Sequence, residues 1–136
     1  MSVRIEISYD LDLQCTALHA PSGDKLVTDA PVDNAGKGLH FSPTDLVAAA
    51  IGACMLTVMG IAAQRRGLSM SGAKAVVDKE MSTGIRRFIQ RLVVRITLPA
   101  SLQPEDRALL EQAARTCPVV SSLGVDTQVD LAFLYT

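Results

Sequence analysis

The sequence predicts an α+β fold in which antiparallel strands wrap a long, buried central helix. Three observations lead there. Residues 3–9 alternate Val3, Ile5, Ile7 and Tyr9 with Arg4, Glu6, Ser8 and Asp10, the period-two pattern of a half-buried strand. Leu46 to Ala63 carry no charge, so a helix built from them is apolar on every face and needs cover on every face. Two further alternating runs and a closing one, Val125 to Tyr135, supply more strands than a helical bundle would use. The whole chain, 1–136, reads as a single domain long enough to build a core.

Taken in order, residues 3–9 form the first strand and Leu11 to His19 a second. Pro21-Ser22-Gly23-Asp24 turns the chain into Lys25-Leu26-Val27-Thr28, completing a small antiparallel meander. Asp29 to Lys37, with Pro31 and Gly36, is a polar loop. The long helix then opens on strong signals: Ser42 as N-cap, Pro43 at the first helical position and Asp45 complementing the dipole. Gln64-Arg65-Arg66-Gly67 closes it with cations and a terminating glycine.

The uncharged run reaches about 27 Å at a rise of 1.5 Å per residue, near the thickness of a membrane core. Its content of Ala and Gly, with Cys54 and Thr57, and the company of strands favour a soluble core helix instead. Small residues at Ala49, Ala53 and Thr57, and at Ala48 and Gly52, would let another helix come close, as in a symmetric dimer.

Beyond Gly67, Ser69 to Met81 and Ile85 to Leu98 form a hairpin of long strands around Ser82-Thr83-Gly84. Pro104-Glu105-Asp106 opens a second helix that runs to about Thr116. A short helix follows Cys117, and Val125 to Tyr135 ends the chain as a strand.

Composition narrows the function. The residues are 49% hydrophobic but only 4% aromatic, so the core is aliphatic and gains from burial against a second copy. A net charge of −1 with interspersed signs gives no basic stripe for nucleic acid. Met1 to Glu6 alternate without an export-type apolar core, and three widely spaced cysteines do not form a disulfide framework, so a reducing, cytoplasmic setting is expected. His19 and His40 are far apart and no Cys-x-x-Cys spacing occurs, so neither metal nor organic cofactor is expected.

The cysteines carry the chemistry. Cys54 sits in the uncharged helix, where a thiol taken alone reads more readily as a small hydrophobe of the core than as a reactive group. Cys117, ahead of Pro118, sits at a helix start, where unpaired backbone N–H groups favour the thiolate. Cys15 lies on a strand with no neighbour suggesting chemistry, and Ser42 reads as a cap, not a nucleophile.

Gly38-x-x-Phe41-Ser42-Pro43-Thr44-Asp45-Leu46-Val47-Ala48-Ala49-Ala50-Ile51-Gly52-Ala53-Cys54 resembles the helix-opening motif of the OsmC/Ohr proteins. Ala114-Arg115-Thr116-Cys117-Pro118-Val119 is similar to that family's second motif, and the loop from Thr28 through Gly38 resembles one of its branches. The resemblance implies an intertwined homodimer with two long central helices wrapped by sheets from both chains. It implies a hydroperoxide reductase in which Cys54 attacks the O–O bond and becomes a sulfenic acid. Cys117 then condenses with it, and an external dithiol resets the pair. Local electrostatics single out Cys117 as the more acidic thiol, whereas the family assigns the attack to Cys54.

The chain departs from the family in one respect. Better-studied branches place an arginine from the N-terminal region beside the thiolate and a glutamate at the position held here by Thr44. Asp45 is the nearest carboxylate and takes its place among the candidate catalytic residues. No arginine occurs between residues 5 and 64. Arg86, Arg87 or Arg91 from the hairpin would have to substitute, or, less well, Lys25 or Lys37. A greasy pocket would favour organic hydroperoxides over hydrogen peroxide. The competing expectation is a protein of the same fold that binds a small hydrophobic or electrophilic ligand without turnover.

Overall fold

A computed structural model describes every residue from Met1 to Thr136. The chain divides into two compact units, Met1–Val47 and Ala48–Thr136. The element order is α+β, with two three-stranded sheets and one long helix.

In the first unit, β1 (Ile5–Leu11), β2 (Gln14–His19) and β3 (Lys25–Asp29) form the expected antiparallel meander, with Ile5 opposite His19 and Gln14 opposite Asp29. The second strand starts later than the sequence predicts. Leu11, Asp12 and Leu13 all have positive φ (80°, 52° and 64°), so β1 ends at Leu11, the turn is made by Asp12 and Leu13, and β2 begins only at Gln14. The alternation in β1 also fails to predict burial: all seven of its residues are exposed. A three-stranded sheet with only a loop in its own unit has no second layer to cover that face.

The polar loop is fixed to the end of β3. Asp29 is buried, its amide donates to the Phe41 carbonyl (3.1 Å), and its Oδ2 accepts from the Leu39 amide (3.0 Å). A single 3₁₀ turn at Val32–Asn34 folds the stretch between them.

Helix α1 (Pro43–Arg65) begins and ends as the sequence predicts. The Asp45 amide donates to Ser42 Oγ (3.1 Å), and the Ser42 amide donates to Asp45 Oδ2 (2.8 Å), a reciprocal box that satisfies two donors at the helix start. At the other end the Leu68 amide reaches the Ala63 carbonyl (2.9 Å) and the Gly67 amide the Gln64 carbonyl (3.2 Å). Gly67 sits at φ +64°, the left-handed conformation this terminator needs.

In the second unit, the sheet of β4 (Lys74–Met81), β5 (Ile89–Leu98) and β6 (Gln128–Tyr135) provides the floor of the core. Leu92, Val94, Ile96 and Leu98 alternate inward from β5 and are buried with Ile51, Met55 and Met59 of α1 and Leu110 and Ala114 of α2 (Pro104–Arg115). Gly52 allows close helix–sheet packing, because a Cβ there would lie 3.1 Å from Val77 Cγ2. This corrects the expectation that Gly52 receives another helix: it meets a strand of its own chain.

Two further corrections follow from topology. The sheet is not purely antiparallel, since β6 pairs parallel with β5, Arg91 opposite Gln128. The crossover through α2 and α3 (Pro118–Ser122) returns the chain in the same direction, which a hairpin cannot do. The loop between β4 and β5 is also wider than a three-residue turn. The Ser82 amide donates to the Phe88 carbonyl (2.9 Å), and Ser82 Oγ bonds both the Arg86 carbonyl and the Phe88 amide.

Helix α1 is long and apolar enough to cross a membrane by length and composition alone. Within the chain its buried residues are Ala48, Ile51, Gly52, Met55, Met59 and Ala63, one helical face packed on the sheet. The opposite row, Ala49, Ala53, Thr57 and Ile61, is exposed. A single chain therefore does not bury this helix on every side.

Candidate active site: a buried thiol pair

Cys54 lies midway along α1, half-buried, where the packing of Ile51 and Met55 against β5 and α2 fixes its height over the sheet. Cys117 is fully buried at the N-cap of α3, positioned by the end of α2. Its amide donates to the Ala114 carbonyl (3.3 Å) and its own carbonyl accepts from the Ser121 amide (3.2 Å). Pro118 at the first helical position forces the chain out of α2 and into α3 at this residue.

The two elements bring the sulfurs together. The Cys117 side chain is hydrogen-bonded to that of Cys54, and both thiols are free. Burial is the largest influence on Cys117 and raises its pKa above the ordinary 9.0, and the hydrogen bond to Cys54 raises it further. Backbone N–H groups of Val120 and Val119 act in the opposite direction without prevailing. The expectation from sequence that the helix start favours the Cys117 thiolate is thereby overturned. A five-residue helix offers little dipole, and desolvation of a fully buried sulfur outweighs two amides.

The other candidates are placed as follows. Asp45 is held in the capping box of α1, nine positions before Cys54. Arg86 pairs with Asp126 (2.9 Å) and stacks over Phe88 (4.3 Å), while Arg91 pairs with Asp130 and Glu80. Those two hairpin arginines are therefore engaged on carboxylates of their own chain. Lys25 and Lys37 are exposed residues of the first unit. Cys15 sits opposite Thr28 in the first sheet, and His19 Nδ1 lies 2.6 Å from Ser22 Oγ, a turn contact away from the polar loop. No group of three or more His, Cys, Asp or Glu converges as a metal-binding set.

Arg115, two positions before Cys117, is not among the candidate site residues read from the sequence. A cavity of about 160 Å³ is lined by Met55, Arg115, Val120, Val129 and Leu131. Met55 follows Cys54 in α1, and Val120 is one of the two amides acting on Cys117. In the sequence Arg115 stands in the second motif, and in the structure it is the cation of the last turn of α2, where it complements the dipole.

The arrangement can do thiol chemistry. Two free sulfurs in contact inside an aliphatic shell can pass between dithiol and disulfide with modest movement. The half-buried member is the one an incoming electrophile meets.

Comparison with known proteins agrees with this architecture. The family model described as OsmC-like protein matches residues 36–132. A crystal structure from Psychrobacter arcticus 273-4, described as an osmotic stress induced and detoxification response protein, is 34% identical. It superposes with a TM-score of 0.91 over 98% of this chain and 96% of that one. An organic hydroperoxide resistance protein OsmC from Legionella pneumophila is 18% identical, with a TM-score of 0.78 over 98% and 97% of the two chains. An organic hydroperoxide resistance protein from Elizabethkingia anophelis is 13% identical, with a TM-score of 0.79 over 100% and 97%. At those identities the last two establish the shared fold. No curated protein matches the sequence.

Proposed function

Because the chain belongs to the OsmC-like family, we propose that it acts in peroxide stress as a thiol-dependent peroxidase that reduces organic hydroperoxides. The observation that carries this reading is the contact between Cys54 and Cys117, the two cysteines of the sequence motifs.

The roles follow from burial. Cys117, whose pKa burial raises, keeps its proton, and Cys54, the more accessible sulfur, takes the part of the nucleophile. The Cys54 thiolate attacks the distal peroxide oxygen. The O–O bond breaks, the alkoxide leaves and takes up a proton as the alcohol, and Cys54 becomes a sulfenic acid. The Cys117 sulfur then attacks Cys54 Sγ, the S–O bond breaks, and water leaves as the disulfide forms. An external dithiol reduces that disulfide by two successive exchanges and is itself oxidised. Asp45 acts through the helix: its carboxylate fixes the first turn of α1, the element that carries Cys54. The aliphatic shell rewards alkyl groups by roughly 0.8 kcal/mol per buried methylene, which favours organic peroxides over hydrogen peroxide.

The working form in this reading is a cytoplasmic homodimer. Its support is the exposed apolar surface of the single chain: Ile5, Ile7 and Tyr9 on β1, and the Ala49, Ala53, Thr57 and Ile61 row on α1. A second reading, retention of a small hydrophobic or electrophilic ligand without turnover, gains from the engagement of Arg86 and Arg91 elsewhere.

Intact-mass analysis of the reduced protein after one equivalent of an organic hydroperoxide separates the two. Loss of two hydrogens, mapped to a Cys54–Cys117 link within seconds, is the expected result. Unchanged thiols after minutes in a folded protein would overturn the peroxidase and leave the binding protein.

A further inference from the structure

Arg115 differs from the paired arginines of the second unit. Arg86, Arg91 and Arg95 each pair with a carboxylate, and Arg107 donates to the Ala100 and Leu102 carbonyls. Arg115 has neither an ion pair nor a side-chain hydrogen bond. Its guanidinium lies over the Phe133 ring, 5.6 Å from guanidinium carbon to centroid. Stacking orients a guanidinium while leaving its five N–H donors unused.

Arg115 lines the 160 Å³ cavity, whose other lining residues, Met55, Val120, Val129 and Leu131, are all apolar. The space equals the liquid volume of about five water molecules, enough for a stem of about five or six heavy atoms. Apolar walls with one cation at the edge match an amphiphile: a short aliphatic stem ending in an anion. A guanidinium fork fits a carboxylate through two parallel hydrogen bonds, a geometry lysine lacks.

We infer that Arg115 and this cavity form a recognition site for a short aliphatic chain bearing a carboxylate. Resting on the peroxidase reading, this makes the preferred substrate a hydroperoxide with a carboxylate at the other end of a short stem. The carboxylate sits on Arg115, the stem contacts Met55 and Val120, and the cavity serves as the specificity site beside the thiol pair. Arg115 is a binding residue here and takes no part in breaking the O–O bond.

The test uses the full-length reduced protein and two probes that contain no peroxide, hexanoate and 1-hexanol, titrated by NMR. The expected result is hexanoate binding about tenfold tighter than hexanol, since a solvent-facing charged hydrogen bond stands at the low end of its usual range. Arg115→Gln should remove that preference and leave hexanol binding intact, Arg115→Lys should restore part of it, and added salt should weaken it. Equal affinity for the two probes, an unchanged preference in Arg115→Gln, or no hexanoate binding would each overturn the inference. A parallel reaction with 6-hydroperoxyhexanoate and 1-hexyl hydroperoxide keeps the two readings apart. Inert thiols with both peroxides, alongside Arg115-dependent hexanoate binding, would sink the peroxidase and leave the carboxylate site standing. Oxidation by both at equal rates in the wild type and in Arg115→Gln would sink the specificity role alone.

Discussion

Cys117 lies against Cys54 with its proton held in place by burial. That relationship makes the two sulfurs unequal: one is fully buried with a raised pKa, the other half-buried. The buried thiol belongs to the start of α3 and the half-buried one to the middle of α1, so in the proposed reaction attack and resolution would fall to different elements.

The division predicts different failures for the two cysteine variants. Cys54→Ser is expected to lower peroxide consumption by more than about a thousandfold, as removal of a nucleophile does. Cys117→Ser should still react once, stopping at a one-oxygen mass gain on Cys54 that a sulfenic-acid trap captures. Stopped-flow consumption with intact-mass analysis checks both. Full turnover by Cys117→Ser with a dithiol present would remove Cys117 from the resolving role.

Burial of Cys117 also fixes a pH dependence of stability. Its folded pKa is raised above the ordinary 9.0, so the unfolded chain loses this proton first as pH rises. The unfolded state then binds fewer protons than the native one, and stability falls with increasing pH above about 9. Tyr135, whose hydroxyl donates to Glu111 Oε2 (2.9 Å), is pushed from 10.0 up to about 12, mainly by burial. It adds a second loss of the same sign between pH 10 and 12. Urea unfolding should show full stability below pH 9 and a decline above it. Cys117→Ala should flatten the first part of that decline and Tyr135→Phe the second.

Legibility of these features in the sequence depended on how local their causes are. Ser42, Asp45 and Gly67 mark the ends of α1 because caps and terminators act within five residues. The Cys117-Pro118 junction is legible for the same reason, since proline sets the turn where it stands. The acidity of Cys117 was not legible, because desolvation comes from Leu110, Ala114 and the sheet packed around it. The parallel pairing of β5 with β6 depends on the return path of a crossover, which alternation along one strand does not encode. The engagement of Arg91 was hidden too, because its partner Asp130 lies far along the chain on β6. In α1 the apolar residues are spread round the helix, so no period marks which face meets the sheet.

The capping box gives a prediction that separates positioning from chemistry. Ser42→Ala removes the acceptor for the Asp45 amide and is expected to cost about 1 kcal/mol in urea unfolding. Asp45→Ala removes the acceptor for the Ser42 amide and should destabilise by a similar amount. If Asp45 acts only through the helix, both variants lose stability while the oxidation rate of Cys54 in the folded protein changes less than about threefold. A loss of rate in Asp45→Ala far beyond that in Ser42→Ala would assign the carboxylate a direct part in the reaction.

The exposed row of α1 tests the dimer. Thr57 Oγ1 donates to the Ala53 carbonyl (2.8 Å), so its hydroxyl is satisfied within the helix and the row Ala49, Ala53, Thr57 and Ile61 presents mainly methyl groups. Ile61 is 46% exposed, a large aliphatic side chain left facing water beside small neighbours that permit close approach. A second copy of the same helix, laid across this row, would bury it and supply the missing cover. Ala53→Glu places a charge at the centre of such a contact, where it would have no partner in either copy, a cost of several kcal/mol. Sedimentation equilibrium should find the wild type dimeric at micromolar concentration and Ala53→Glu shifted to monomer with reduced stability. Glu105→Gln, an exposed change in the first turn of α2, should leave the dimer intact. An Ala53→Glu protein that remains dimeric would exclude this row from the interface and turn attention to the apolar residues of β1.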